Sequence, residues 1–168
     1  GTSGESFELL SALKGLGSPD TSGALARTSA IDFCAQTLRD SIPARLTDGD
    51  VVWTSMPSTS AFDDRLRAIL AQIPEVSHTD LLRCDILTAQ RQKGISAQMR
   101  AQTMSVIHVE RSLRCIVVLD DVVSGGSHFA AAHALLSKQY PECSIVGVFL
   151  FRRVLEQSCS LAHVAGRP

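Results

Sequence analysis

Excess positive charge, aromatic residues, paired cysteines and long apolar runs are all scarce in this chain, and each shortage excludes something. Sixteen Lys and Arg stand against seventeen Asp and Glu, for a formal net charge of −1. That balance gives no basic footprint for duplex nucleic acid or for an anionic membrane surface, although a near-neutral total leaves room for a local basic cluster. One Trp, one Tyr and six Phe among 168 residues leave the core to be built from Leu, Ile, Val and Ala. The five cysteines, Cys34, Cys84, Cys115, Cys143 and Cys159, are odd in number and none share a CxxC spacing. They signal neither a zinc ribbon nor a disulfide framework. Cys34 and Cys115 are expected in the core of a protein kept in a reducing compartment. No apolar run approaches the length of a membrane span, and no signal peptide precedes the first expected helix. The expectation is a cytoplasmic protein without a membrane partner.

What is present is ordinary globular material: 45% hydrophobic and 20% charged residues, enough for one domain with a sizeable core. That domain is expected to span residues 1–168, with a helical part at 1–45, a core at 50–153 and a polar, mixed tail at 154–168. Leu9, Leu13 and Leu16 fall at helical spacing before Gly15 and Gly17 stop the pattern. A second helix is predicted over 24–40, with Ile31, Cys34, Leu38 and Ile42 on one face and Pro43 ending it. "VVWTS" at 51–55 reads as a strand. Phe62, Leu66, Ile69 and Ile73 then mark an amphipathic helix. Residues 79–103 read as a helix, a long loop and another helix. Strands are predicted at 104–109, 115–119 and 144–151, the last two buried, with a helix carrying Phe129, Ala132, Leu136 and Tyr140 between them. Apolar strands separated by helices predict an α/β fold with a mainly parallel central sheet flanked by helices. Ligands of such sheets lie at the carboxyl ends of the strands.

"CIVVLDDVVSGGSHFAAAHALL", 115–136, carries the chemistry. Asp120 and Asp121 end a buried run, and two adjacent carboxylates repel and seek water or a partner. They suit the two hydroxyls of a ribose, or the hydration shell of Mg²⁺. Ser124, Gly125, Gly126 and Ser127 then lead into a helix N-terminus, where bare amides and the helix dipole favour a phosphate. Taken singly, each piece is more often a turn, a cap or an acidic strand end. Their order after a buried strand describes a ribose 5-phosphate site.

"IVVLDDVVSGGSH" resembles the signature of the type I phosphoribosyltransferases: four apolar residues, two acidic, two apolar, then a hydroxyl- and glycine-rich loop. The similarity is greatest to the ComF-like branch, associated with competence and DNA uptake. There "DDVVSGGSHFAAAHALL", "YPECSIVGVFLFRR" and "MPSTSAFDDRLRAIL" carry it over roughly residues 50–153. The resemblance implies the Rossmann-like fold of that family. It gives Asp120 and Asp121 the ribose of phosphoribosyl pyrophosphate (PRPP), with Mg²⁺ held indirectly through the ligand. It gives Ser124, Gly125, Gly126, Ser127 and His128 the 5-phosphate. "SMPSTS" would cradle pyrophosphate through Pro57, Ser58, Thr59 and Ser60, aided by Arg65 and Arg91; a capped helix start accounts for the same residues equally well.

The chain also departs from that pattern. Gly125 and His128 stand where the usual loop has threonines, so phosphate binding would lean on backbone amides and His128. Ser124 stands where purine-salvage members carry Asp, which disfavours purine salvage by that mechanism. The cysteine-rich zinc module of many ComF proteins is missing, and no zinc is expected. Arg83, Arg91, Lys93 and Arg100 could neutralise a leaving pyrophosphate, though a solvated basic face is the default for any one of them. Arg152 and Arg153 are expected just past the last strand, on the ligand edge. His108 and His133 read as structural or surface residues.

Two functions follow: transfer of phosphoribosyl with release of pyrophosphate, or a non-catalytic module that senses PRPP or nucleotides or assists DNA handling. The expected partner is a small phosphoribosyl substrate or nucleotide, and a second copy or protein partner stays open. A receiver-like domain is weaker, because it has no use for the glycine-hydroxyl loop.

Overall fold

The computed structural model describes residues 3–16, 21–58, 64–84, 103–109, 112–123 and 126–152. Its strands are β1 (Val51–Ser55), β2 (Leu82–Cys84), β3 (Met104–Val106), β4 (Cys115–Val123) and β5 (Ser144–Arg152). Its helices are α1 (Ser3–Leu13), α2 (Thr21–Ser41), α3 (Arg65–Ala71) and α4 (Ser127–Gln139), with a 3-10 turn at Ala44–Leu46.

β1, β4 and β5 form a parallel sheet in the order β1–β4–β5, and β2 pairs antiparallel with β3. The α/β architecture expected from the apolar strands is therefore the one observed. Ile116, Val117, Val118 and Leu119 of β4 are wholly inaccessible on both faces, as a strand without apolar/polar alternation requires. Parallel partners at one register level point the same way. Thr54, Val118 and Gly147 thus share a face, and Phe129 of α4 meets Gly147 there. Trp53 and Val117 look the other way. Trp53 is completely buried and donates its indole N–H to the Leu46 carbonyl at 2.8 Å. Cys34 and Cys115 are buried, and burial pushes the Cys34 thiol up to about 11. No helix among the described residues is long and apolar enough to cross a membrane.

The structure corrects several expectations. Residues 82–84, read as part of a helix, are strand: Leu82 pairs with Val106 and Cys84 with Met104. Three residues are too few to carry any period, and pairing decides. α2 begins at Thr21 and reaches Ser41, longer than 24–40 at both ends. Leu16 lies beyond α1 and is exposed. β5 is half-buried along most of its length, not buried, and no described strand pairs with its outer edge. Phe151 and Arg152 belong to β5 itself, while Arg153 is outside the described residues.

A close approach locks α4 to the sheet. A Cβ on Gly147 would lie 2.9 Å from ring carbons of both Phe129 and Phe149, whose rings pack edge to face at 5.7 Å. Gly147→Ala is expected to force those rings aside and cost about 1–2 kcal/mol, read as a lowered midpoint in urea at unchanged slope. A midpoint equal to wild type would show that the rings yield freely.

Candidate functional site

The carboxyl ends of β1 and β4 are drawn together where the chain leaves β1. The Met56 amide donates to the Leu119 carbonyl at 2.7 Å, which lays Met56–Ser58 beside the next two residues of β4. Those residues are Asp120 and Asp121. The strand does not stop at them, as the sequence suggests; pairing with β5 carries it to Val123 opposite Arg152. Successive side chains of a strand point to opposite faces. Asp120 therefore projects to the α4 side, level with Phe149, and Asp121 to the side of α1 and α3. The two carboxylates straddle the sheet instead of standing side by side.

Their environments differ accordingly. Asp121 Oδ2 accepts from Arg65, the first residue of α3, at 2.6 Å, and lies 3.2 Å from Lys14 Nζ just past α1. Burial alone would raise this carboxyl, but the Arg65 hydrogen bond and the charges of Arg65 and Lys14 hold it below the usual carboxylate range. At Asp120, burial and the Asp121 charge, which push the carboxyl up, outrank the charges of Arg65 and Lys14, which pull it down. Asp120 Oδ1 accepts the Asp121 backbone N–H at 2.9 Å, and burial, then the Asp121 charge, push its carboxyl up to about 6. Only 6% of Asp120 is exposed, so this is a buried acid that titrates close to neutrality.

Both aspartates line a cleft of about 800 Å³. Pro57 and Ser58 after β1, Arg65 from α3, Arg83 and Cys84 from β2, Lys14 and His128 complete much of its wall. α4 reaches it through His128 of its first turn. Gly126, at φ +69°, takes the left-handed conformation that suits glycine, and it has no side chain with which to cap the helix. The start of α4 thus presents backbone amides in a position where the dipole favours an anion. Two halves of the expected ribose-phosphate site, acid and helix start, are brought to one cleft.

Among the other expected site residues, Pro57, Ser58 and His128 lie in the cleft wall, and Gly126 and Ser127 form the start of α4. Arg65 also reaches the cleft, with its guanidinium bonded to Asp121. Ser124, Gly125, Thr59, Ser60 and Arg91 fall outside the described residues, as do Lys93 and Arg100. His108 stacks on Tyr140, whose hydroxyl accepts from Val109 N–H at 3.1 Å, and His133 packs edge-on against Phe129. Both are exposed. Sequence reasoning missed Lys14 and Cys84. Lys14 follows an unremarkable amphipathic helix, and nothing local marks a lysine whose partner lies in β4.

No family model matches this chain, and no curated protein does. Among solved structures, it aligns with a hypoxanthine phosphoribosyltransferase from Staphylococcus aureus at 15% identity and a TM-score of 0.44, over 73% of this chain and 65% of that one.

Proposed function

We propose that the cleft binds a ribose phosphate carrying a leaving group or base, PRPP or a ribonucleotide. The observation that carries this is a buried acid, Asp120, set in the wall of an 800 Å³ cleft whose wall also holds His128 from the first turn of α4. A carboxylate accepts from ribose hydroxyls, and the amides of Gly126, Ser127 and His128 suit a 5-phosphate. Pro57 and Ser58 lie beyond the end of β1, where a pyrophosphate would extend.

Transfer chemistry on such a ligand is written without a protein nucleophile. A lone pair on an acceptor forms a bond to the anomeric carbon as the bond from that carbon to the pyrophosphate oxygen breaks, and pyrophosphate leaves with the electron pair of the broken bond. Positive charge gathers on the sugar in between. The protein's part is to align the groups and stabilise the departing charge.

Magnesium fits only as a passenger. Among the described residues no three His, Cys, Asp or Glu side chains gather around one point, and Asp121 is already held by two cations. Asp120 could touch an ion that arrives on the ligand's phosphates, where its role is to offset their charge.

A non-catalytic sensor is the second reading. It is favoured by the commitment of Asp121 to Arg65 and Lys14, and by the glycine and histidine that replace hydroxyls at 125 and 128. Titration calorimetry with PRPP and Mg²⁺ is expected to show one-site binding, and absence of heat from the wild-type protein would end the phosphoribosyl reading. Pyrophosphate release in the presence of a panel of bases then separates transferase from sensor.

A further inference from the structure

We infer that Lys14, delivered by the turn that ends α1, is a binding residue for the anionic group at the anomeric end of the ligand. The inference rests on the ribose-phosphate reading for the identity of that group, a pyrophosphate. It concerns a residue from the helical N-terminal part, far in sequence from every signature residue.

Three observations support it. Lys14 lines the cleft, and its side chain is 34% exposed. It shares its carboxylate oxygen with Arg65: Oδ2 of Asp121 lies 3.2 Å from Lys14 and 2.6 Å from Arg65. One ionised carboxylate between two cations leaves this trio with an excess positive charge, within a cleft whose lining otherwise sets Arg67 and Arg83 against Asp64, Asp80 and Asp120. An ammonium also carries three donors, of which Asp121 takes one. Finally, this trio lies across the sheet from Asp120 and α4. A ligand lying over the end of β4, with its monophosphate at the start of α4, would present its other anionic end to Lys14 and Arg65.

In this arrangement Asp121 is a positioning residue. It holds the two cations in place before the ligand arrives, so that little ordering remains to be done on binding. The N-terminal helical part is thereby tied to ligand occupancy through one ammonium.

The test compares wild type, Lys14→Met and Lys14→Arg by calorimetry against three probes: PRPP with Mg²⁺, inorganic pyrophosphate, and ribose 5-phosphate. Lys14→Met is expected to weaken PRPP and pyrophosphate about tenfold, the size of one charged contact, and to leave ribose 5-phosphate within about twofold. Lys14→Arg should recover most of the loss. The Lys14 contribution should also fall as salt is raised. Equal weakening of all three probes would mean that Lys14 only supports the fold, and would overturn the inference. So would unchanged PRPP and pyrophosphate affinity, or wild type that binds neither. Wild type that binds pyrophosphate through Lys14 but ignores ribose 5-phosphate would uphold the anion seat while removing the phosphoribosyl reading.

Discussion

Replacing Asp120 with asparagine is expected to make the protein more stable at pH 7 and at the same time abolish ribose-phosphate binding. The carboxyl is pushed from the ordinary 3.8 to about 6, first by burial and then by the charge of Asp121. A folded-state value above the unfolded one means that the folded protein holds the proton more tightly. Folding is therefore unimpeded well below pH 3.8, where both states are protonated, and is progressively opposed as pH rises through 3.8 toward 6. Above that the penalty is complete, at about 3 kcal/mol for a displacement of this size. The asparagine of Asp120→Asn keeps the oxygen that accepts the Asp121 amide and never ionises, so the penalty disappears. Its amide lines an open cleft with water in reach. Urea unfolding at pH 4 and pH 7.5 should show wild type and variant close together at the lower pH and the variant ahead by about 2–3 kcal/mol at the higher. Calorimetry with PRPP should show the reverse ranking. Stability is given up for function at sites of this kind. A variant no more stable than wild type at pH 7.5 would mean that Asp120 is solvated or paired in solution, and the case for a strained ligand acid would fall with it.

The sheet was legible in the sequence because its strands are fully apolar. "VVWTS" and "CIVVL" have no alternation to confuse with a helix; the first is a strand at the expected bounds, and the second begins where expected but runs four residues further, to Val123. β2 was illegible for the opposite reason, since Leu82–Cys84 is defined only by its partner β3. The acid pair shows a subtler limit. Charge suggested that β4 should end at Asp120, because carboxylates prefer water. Pairing with β5 outweighs that preference and carries the strand on to Val123. Once the strand is seen to continue, the twofold period places the two acids on opposite faces, an inference the sequence permits but does not invite. Arg65 and Lys14 illustrate the remaining gap. Each is one cation among sixteen, and only the packing of α3 on β1 and β4 and of α1 on α2 brings both to Asp121.

Arg65→Met should cause the largest loss of stability of any single change in the cleft. The Asp121 carboxylate is 10% exposed and the Arg65 side chain 13%, so their 2.6 Å contact is sheltered from water, unlike the exposed pairs of Arg67 with Asp80 or Arg114 with Asp48. Removing one member of a sheltered pair leaves the other desolvated and uncompensated, at about 3 kcal/mol; Lys14, more exposed and more distant, recovers only part. The deficit should depend on pH with the opposite sign to that of Asp120. In wild type the Asp121 value is depressed, so its contribution is complete above the ordinary 3.8 and is lost as pH falls through the lower folded-state value. The gap between wild type and Arg65→Met should thus be widest at neutral pH and close under acid conditions, where Asp121 is protonated in both. A double variant, Arg65→Met with Asp121→Asn, removes charge from both sides and should regain most of the loss, because a buried pair replaced as a pair costs little. If the double variant is instead as unstable as the single one, the stabilisation comes from the packing of the Arg65 stem against the cleft wall. Asp121 would then be free to meet a ribose hydroxyl directly.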